Sequence, residues 1–216
     1  LEIVMVKTNP IDSLWKSLRP KAPNSLIQKH AIKYSGISAN KKIKSLCEIF
    51  SKKNVYSYLI SKPESLAWLL NIRGSDLKHT PVILCRAILF KNEKLYLFIN
   101  KNRIKPNIIK YLKSEIRFLK IFDENKFLEI VTKIANMKKL IWIDPQITPY
   151  IIAKMAQINK NKIYLNRCPI EIKKAIKNKT EIKGSIIAHK RDGVALCKFL
   201  YWLKNSKYSD ISEISA

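Results

Sequence analysis

The chain has 216 residues, 47% of them hydrophobic, and sets 42 Lys and Arg against 16 Asp and Glu for a formal net charge of +26. That much apolar material supports a core and excludes wholesale disorder. The charge is mainly lysine and is spread over nearly every segment, with arginine only at Arg19, Arg73, Arg86, Arg103, Arg117, Arg167 and Arg191, which argues against a base-reading or phosphate-forking surface built on bidentate guanidinium groups.

Salt-sensitive association with polyanions follows from the charge alone, but no specific nucleic-acid partner is expected. The opening stretch Leu1-Glu2-Ile3-Val4-Met5-Val6-Lys7 is too short and too soon interrupted for a signal peptide, and no apolar run has the length of a membrane span. No membrane partner is expected. Cys47, Cys85, Cys168 and Cys197 contain no Cys-x-x-Cys pair; Cys47 and Cys197 fall on apolar helical faces and Cys85 in a strand. Buried, reduced thiols in a cytoplasmic protein are therefore the expectation.

In chain order, Asn9 caps a short helix with Pro10 at its first position. Arg19-Pro20-Lys21-Ala22-Pro23 reads as a connector, because proline lacks a donor and restricts the residue before it. Ser38 or Asn40 caps a helix whose Ile43, Leu46, Cys47, Ile49 and Phe50 recur at helical spacing. Residues 55–60 read as a strand, and a helix starting near Pro63 runs into Ala67-Trp68-Leu69-Leu70-Asn71-Ile72-Arg73-Gly74-Ser75-Asp76. This helix is expected to break at Gly74, whose backbone is unrestricted. The loop then carries Asn71, Arg73, Ser75, Asp76 and His79 to the start of an apolar strand, a placement suited to function. Arg73 and Asp76 are expected to pair across it through a charge-assisted bond.

Residues 82–90 and 94–99 form two apolar runs joined by Lys91-Asn92-Glu93, a hairpin-length connection. A helix near 106–112, a strand near 116–122, a helix capped by Asp123 and carrying Phe127, Ile130, Val131 and Ile134, a strand at 140–143 and a helix opened by Pro149 follow. This alternation predicts an α/β fold, a mixed β-sheet flanked by helices on both faces. The pattern changes at Cys168-Pro169-Ile170-Glu171, and from Thr180 to about Leu203 one long C-terminal helix carries Ile182, Ile186, Val194, Cys197 and Tyr201 as its apolar positions.

Several strings resemble aminopeptidase P, the metal-dependent Xaa-Pro aminopeptidases of the creatinase/prolidase superfamily. They are Asn9-Pro10-Ile11-Asp12-Ser13-Leu14-Trp15 with Arg19-Pro20, Tyr34-Ser35-Gly36-Ile37-Ser38, the loop string from Ala67 to Asp76, Lys177-Asn178-Lys179-Thr180-Glu181-Ile182-Lys183-Gly184, and the run from Ala188 to Leu196. The matches span nearly the whole chain. The resemblance implies a remnant of a preceding domain and linker at 1–20, a creatinase N-terminal-like second domain with a ribonuclease H-like layer at 21–174, and the truncated start of the pita-bread catalytic domain at 175–216.

The family's mechanism, so implied, is peptide hydrolysis at a pair of divalent metal ions, usually manganese. Two aspartates, one histidine and two glutamates bind them, all lying beyond the first long helix of the pita-bread domain. No metal or cofactor is therefore expected in this chain itself, and the chain is expected to be inactive alone. In the family the second domain covers the mouth of the metal site with this loop facing it, so Asn71, Arg73, Asp76 and His79 are the expected substrate-facing residues. A peptide substrate is expected only together with a catalytic domain, supplied within a homodimer or as a separate fragment. An exposed apolar face is expected on the last helix.

Other chemistry finds little support. His30, His79 and His189 are far apart and form no helical metal-binding pair, and His189, three residues after Ile186, is expected to be packed. Asp76, Asp123 and Asp144 stand near element ends, where aspartate commonly caps or turns the chain, so a nuclease cluster is not supported. Nucleophile-elbow and phosphate-loop motifs are absent. The alternatives are a basic nucleic-acid-binding α/β protein, since fold does not fix function, and a non-functional relic, to which the proline at Pro63 points because the family more often has an acidic residue there.

Overall fold

The computed structural model describes residues 6, 8–15, 18–206 and 212–214. Of the opening stretch Leu1 to Lys7 only Val6 is described, and the last two residues, Ser215 and Ala216, lie outside the described residues, so neither end bears on the expectations made for it.

Local signals place most of the helices. In α1 (Pro10–Trp15) the Asn9 side chain accepts from Ile11 N at 3.1 Å. After the pair β1 (Gln28–Lys29) and α2 (Ile32–Ser35), Ser38 caps α3 (Ala39–Lys52) by accepting from Lys41 N. Strand β2 (Ser57–Ile60) leads to α4 (Pro63–Leu70), with proline in its first turn. Next come β3 (Ile72–Arg73), β4 (Arg86–Phe90), β5 (Lys94–Phe98), α5 (Pro106–Glu115) and β6 (Phe118–Phe122). Asp123 caps a single 3-10 turn that continues into α6 (Phe127–Asn136). The chain finishes with β7 (Ile141–Ile143), α7 (Tyr150–Ala156), β8 (Ile163–Leu165), α8 (Pro169–Ala175) and α9 (Lys179–Asn205).

Six strands form one mixed sheet in the order β6-β5-β4-β2-β7-β8. The β2–β4 and β4–β5 pairs are antiparallel, while β5–β6, β2–β7 and β7–β8 are parallel. Side chains alternate between its faces. Tyr58, Ile60, Ala87, Leu89, Leu95, Leu97 and Trp142 pack with α3, α4 and α5. Leu59, Ile88, Phe90, Phe98, Ile141 and Ile143 point the other way, against α6 and α7. Both faces are thus covered, as the alternation of elements predicts, and no described helix is long and apolar enough to cross a membrane.

Several expectations are corrected. The strand expected over 82–90 is a ladder only from Arg86, because Leu84 N donates to the Asp76 carboxylate at 2.6 Å instead of to a neighbouring strand. The helix does not break at Gly74; α4 ends at Asn71, which itself takes the left-handed conformation with φ 50° and ψ 50°. Gly74 answers to space, since a Cβ there would lie 2.1 Å from Ile83 Cδ1.

Helix α9 begins in a full capping box. Asn178 Oδ1 accepts from Thr180 N and Glu181 N, and Glu181 Oε2 accepts from Asn178 N. Asn178 Nδ2 also donates to Ser35 O at 2.9 Å, tying α9 to the end of α2. Beyond that contact the helix has no buried residue, and Ile182, Ile186, Val194 and Tyr201 are all exposed. The apolar face is therefore open, as expected, and for the same reason two burial expectations fail. Cys197 is exposed, and so is His189, whose Nδ1 lies 2.8 Å from Ser185 O. Cys47, Cys85 and Cys168 are buried and reduced, and burial raises the thiol pKa to about 11 at Cys47 and about 12 at Cys85.

Candidate functional site

The candidate site grows from the turn between α4 and β3. Strand β3 pairs antiparallel with β1, Gln28 opposite Arg73 and Lys29 opposite Ile72, which fixes the chain direction immediately after the helix. The turn residue Asn71 is 3% exposed and fully engaged: its carbonyl accepts from His30 N at 2.8 Å, Oδ1 accepts from Lys42 Nζ at 2.7 Å, and Nδ2 donates to Ile37 O at 2.9 Å. Lys42 is equally buried, donates also to Trp68 O at 2.8 Å, and sits 4.1 Å over the Trp68 ring. Burial lowers its pKa to about 8, with Glu181 opposing the shift and Arg73 adding to it.

Arg73 is half-buried, and its Nη1 donates to Ala67 O at 2.9 Å and Ile72 O at 2.8 Å. A cation over the C-terminal carbonyls of a helix is favourably placed. Its remaining donors have no protein partner among the described residues. Burial lowers the Arg73 pKa and Glu181 pulls it back up; a guanidinium stays charged throughout the physiological range. Arg73 opens on a shallow cleft of about 280 Å³ between α4, the loop residues Thr80, Pro81 and Val82, and the α8–α9 segment. Lys174, Lys177 and Arg73 line it opposite Glu64 and Glu181, three cations to two acids. Glu181 Oε1 accepts from Trp68 Nε1 at 3.2 Å, so one carboxylate joins the α9 cap to α4.

Asp76 does not pair with Arg73. Its carboxylate is fully enclosed and forms an ion pair with Arg103 Nη2. Oδ1 accepts from Ser25 N at 3.1 Å and Ser25 Oγ at 2.6 Å, and Arg103 also donates to Ser25 O and Leu84 O. The physical reason is direction: Arg73 folds back over α4, while Asp76 turns under the loop. Burial by itself would raise the Asp76 pKa, but the bonds from Ser25, Leu84 and Arg103 outweigh it and hold the pKa below the usual carboxylate range.

Of the four loop residues singled out in the sequence, Arg73 alone lines the cleft. Asn71 and Asp76 are enclosed supports, and His79 is exposed on the turn closed by the Leu77–Thr80 bridge. Arg103, Lys42, Trp68 and Glu181 were missed. One signal existed for Arg103: in a chain where lysine is the default cation, an arginine marks a place that needs several fixed donors. Among the described residues no three His, Cys, Asp or Glu side chains converge to hold a metal ion. The residues present do not fit a metal pair. Asp123 and Asp144 are occupied locally, by Asn125 N in one case and by Gln146 N and Cys168 N in the other.

A family profile described as Creatinase/Prolidase N-terminal domain matches residues 18–181. The Xaa-Pro aminopeptidase ApepP of Drosophila melanogaster is 30% identical over 99% of this chain and 35% of its own length. A probable Xaa-Pro aminopeptidase P of Talaromyces marneffei is 27% identical over 99% of this chain and 33% of its own length. The crystal structure of an X-prolyl aminopeptidase from Caenorhabditis elegans, described as a cytosolic enzyme with a di-nuclear active site, superposes with a TM-score of 0.86 at 22% identity, covering 96% of this chain and 34% of that one. The fold is shared, and the chain spans about a third of the length of these relatives.

Proposed function

The chain belongs to the creatinase/prolidase N-terminal domain family, and from that membership we propose that it is the non-catalytic second domain of an aminopeptidase P-like Xaa-Pro aminopeptidase together with the first helix of its catalytic domain. Residues 21–174 are that domain, 1–20 belong to a preceding domain and its linker, and 175–216 open the catalytic domain. The profile match ending at residue 181, in the first turn of α9, supports this division.

The domain's task in this reading is to cover a two-metal site and hold the N-terminal Xaa-Pro peptide presented to it. The observation that carries it is Arg73: a half-exposed guanidinium clamped to two carbonyls, with its remaining donors unpartnered, in a cleft of net positive charge beside α9. Such a group orients a peptide carbonyl or carboxylate. Asn71 and Asp76 position the loop, and His79 stands at its tip within reach of a bound peptide. Manganese or another divalent pair, and hence hydrolysis, belongs to the catalytic domain, whether in the same polypeptide, a homodimer or a separate fragment. The chain alone is inactive, and its place is the cytoplasm.

In the polypeptide as isolated from its own cells, Arg73→Ala is expected to raise KM for peptides with proline in second position by about tenfold, with kcat little changed, as removal of uniform binding requires. Arg73→Lys should recover only part of the loss, because an ammonium lacks the planar fork that lets the guanidinium bond two carbonyls with one nitrogen and aim its other donors at a substrate. An unchanged KM in Arg73→Ala would remove the residue from the substrate path.

A further inference from the structure

On the sheet face that packs against α6, four aromatic rings follow one another from strand to strand. Tyr56 lies just before β2, Phe90 ends β4, Tyr96 is central in β5, and Phe122 ends β6. Successive ring centroids are 5.6, 4.9 and 5.0 Å apart, each pair edge to face. Phe90 is buried, but Tyr56, Tyr96 and Phe122 are only half-buried. The row floors a depression of about 430 Å³ whose far wall is Ile130, Ile134 and Met137.

The charges around it are asymmetric. On one rim Lys126 and Lys133 both pair with Glu129. On the other, Lys94 lines the depression, its Nζ 4.8 Å from the Tyr96 centroid and 5.7 Å from that of Phe90; Lys120, outside the lining on β6, has its Nζ 6.0 Å from the Tyr96 centroid. Neither lysine has a carboxylate partner among the described residues. The depression therefore offers a stacking floor of aromatic faces and one uncompensated cation in its lining, Lys94, with a second, Lys120, just outside it. Rings favour rings in edge-on or offset contact, and an ammonium on a ring gains a further partner when an anion arrives.

We infer that this depression binds a small planar aromatic molecule carrying an anionic group, its ring against Tyr56 and Tyr96 and its anion at Lys94, the cation of the unpaired rim. Its volume is in the range of small-molecule sites and suits one or two fused rings better than a run of stacked bases. The anion is a carboxylate or a phosphate, both of which accept from an ammonium.

The test is a titration of the full chain with naphthoate, followed by the probe's fluorescence anisotropy, with uncharged naphthylmethanol in parallel and adenosine monophosphate as a competitor that displaces bound naphthoate. Saturable binding of naphthoate is expected, weakened about threefold to fivefold both by removal of the probe's charge and by Lys94→Glu, and less by Lys120→Glu, outside the lining. If adenosine monophosphate binds with the same dependence on Lys94, the anion is a phosphate; if it does not bind, the ligand is an aromatic acid. The exposed apolar face of α9 would take both naphthalene probes equally and ignore Lys94. That result would overturn the inference.

Discussion

Replacing Asp76 with alanine is expected to cost about 3–5 kcal/mol of folding stability, the usual result when one partner of a buried ion pair is removed. The side chains of Arg103 and Asp76 are 5% and 0% exposed, so the guanidinium left behind cannot recover its hydration. Ser25 and Leu84 would lose their acceptor in the same step. Urea unfolding should show a lower midpoint with an unchanged slope. The loss must also depend on pH. Because the folded state holds the Asp76 pKa below its ordinary value, the stabilisation is complete above the unfolded carboxylate pKa of about 3.9 and disappears as pH falls through the depressed folded value. The gap between wild type and Asp76→Ala should therefore narrow at acid pH. A gap that stays constant into acid, or one below about 1 kcal/mol at neutral pH, would mean that the pair does not hold the loop.

The second large effect is expected at Gly36, which sits at φ 70° where α2 meets the cap of α9. A Cβ there would lie 2.5 Å from Asn178 Oδ1 and 2.9 Å from Thr180 Cβ. Asn178 cannot swing aside without releasing the amides of Thr180 and Glu181 and the carbonyl of Ser35. Left-handed strain of about 1–2 kcal/mol adds to an overpacking cost of about 1–3 kcal/mol, so Gly36→Ala should lose roughly 2–5 kcal/mol by the same two terms. It should also speed hydrogen exchange at the first turn of α9. Gly193, inside that helix with open space around it, supplies the contrast: Gly193→Ala should stabilise by about 0.5–1 kcal/mol. Equal effects at the two glycines would show that α9 is not anchored through its cap.

What could be read from the sequence was mostly local. Asn9, Ser38 and Asp123 all cap as side-chain chemistry dictates. The periodicity of α3 and α6 reported which faces are buried, and alternation of elements gave the layered sheet. Burial and pairing across long separations were less legible. The apolar stripe of α9 reports a face suited to a partner, not the presence of one, so Cys197 and His189 were placed inside when they are outside. Strand β8 and the β1–β3 pair are too short to carry an alternation pattern. At the candidate site, Arg73 and Asp76 are near neighbours in sequence yet serve opposite sides of the loop, since Asp76 finds Arg103, 27 positions away. Gly74 was noticed as a glycine, but its reason, the approach of Ile83, exists only in the folded chain.

Whether this domain needs a catalytic partner is decided by release of the N-terminal residue from a peptide with proline in second position, measured with manganese present. The assay should be run on the 216-residue chain and on the native polypeptide purified from its own cells. Cleavage is expected from a native species heavier than 25.1 kDa and none from the 216-residue chain. Cleavage by the 216-residue chain alone would contradict that expectation, because catalysis would then reside in residues assigned here only to covering and positioning.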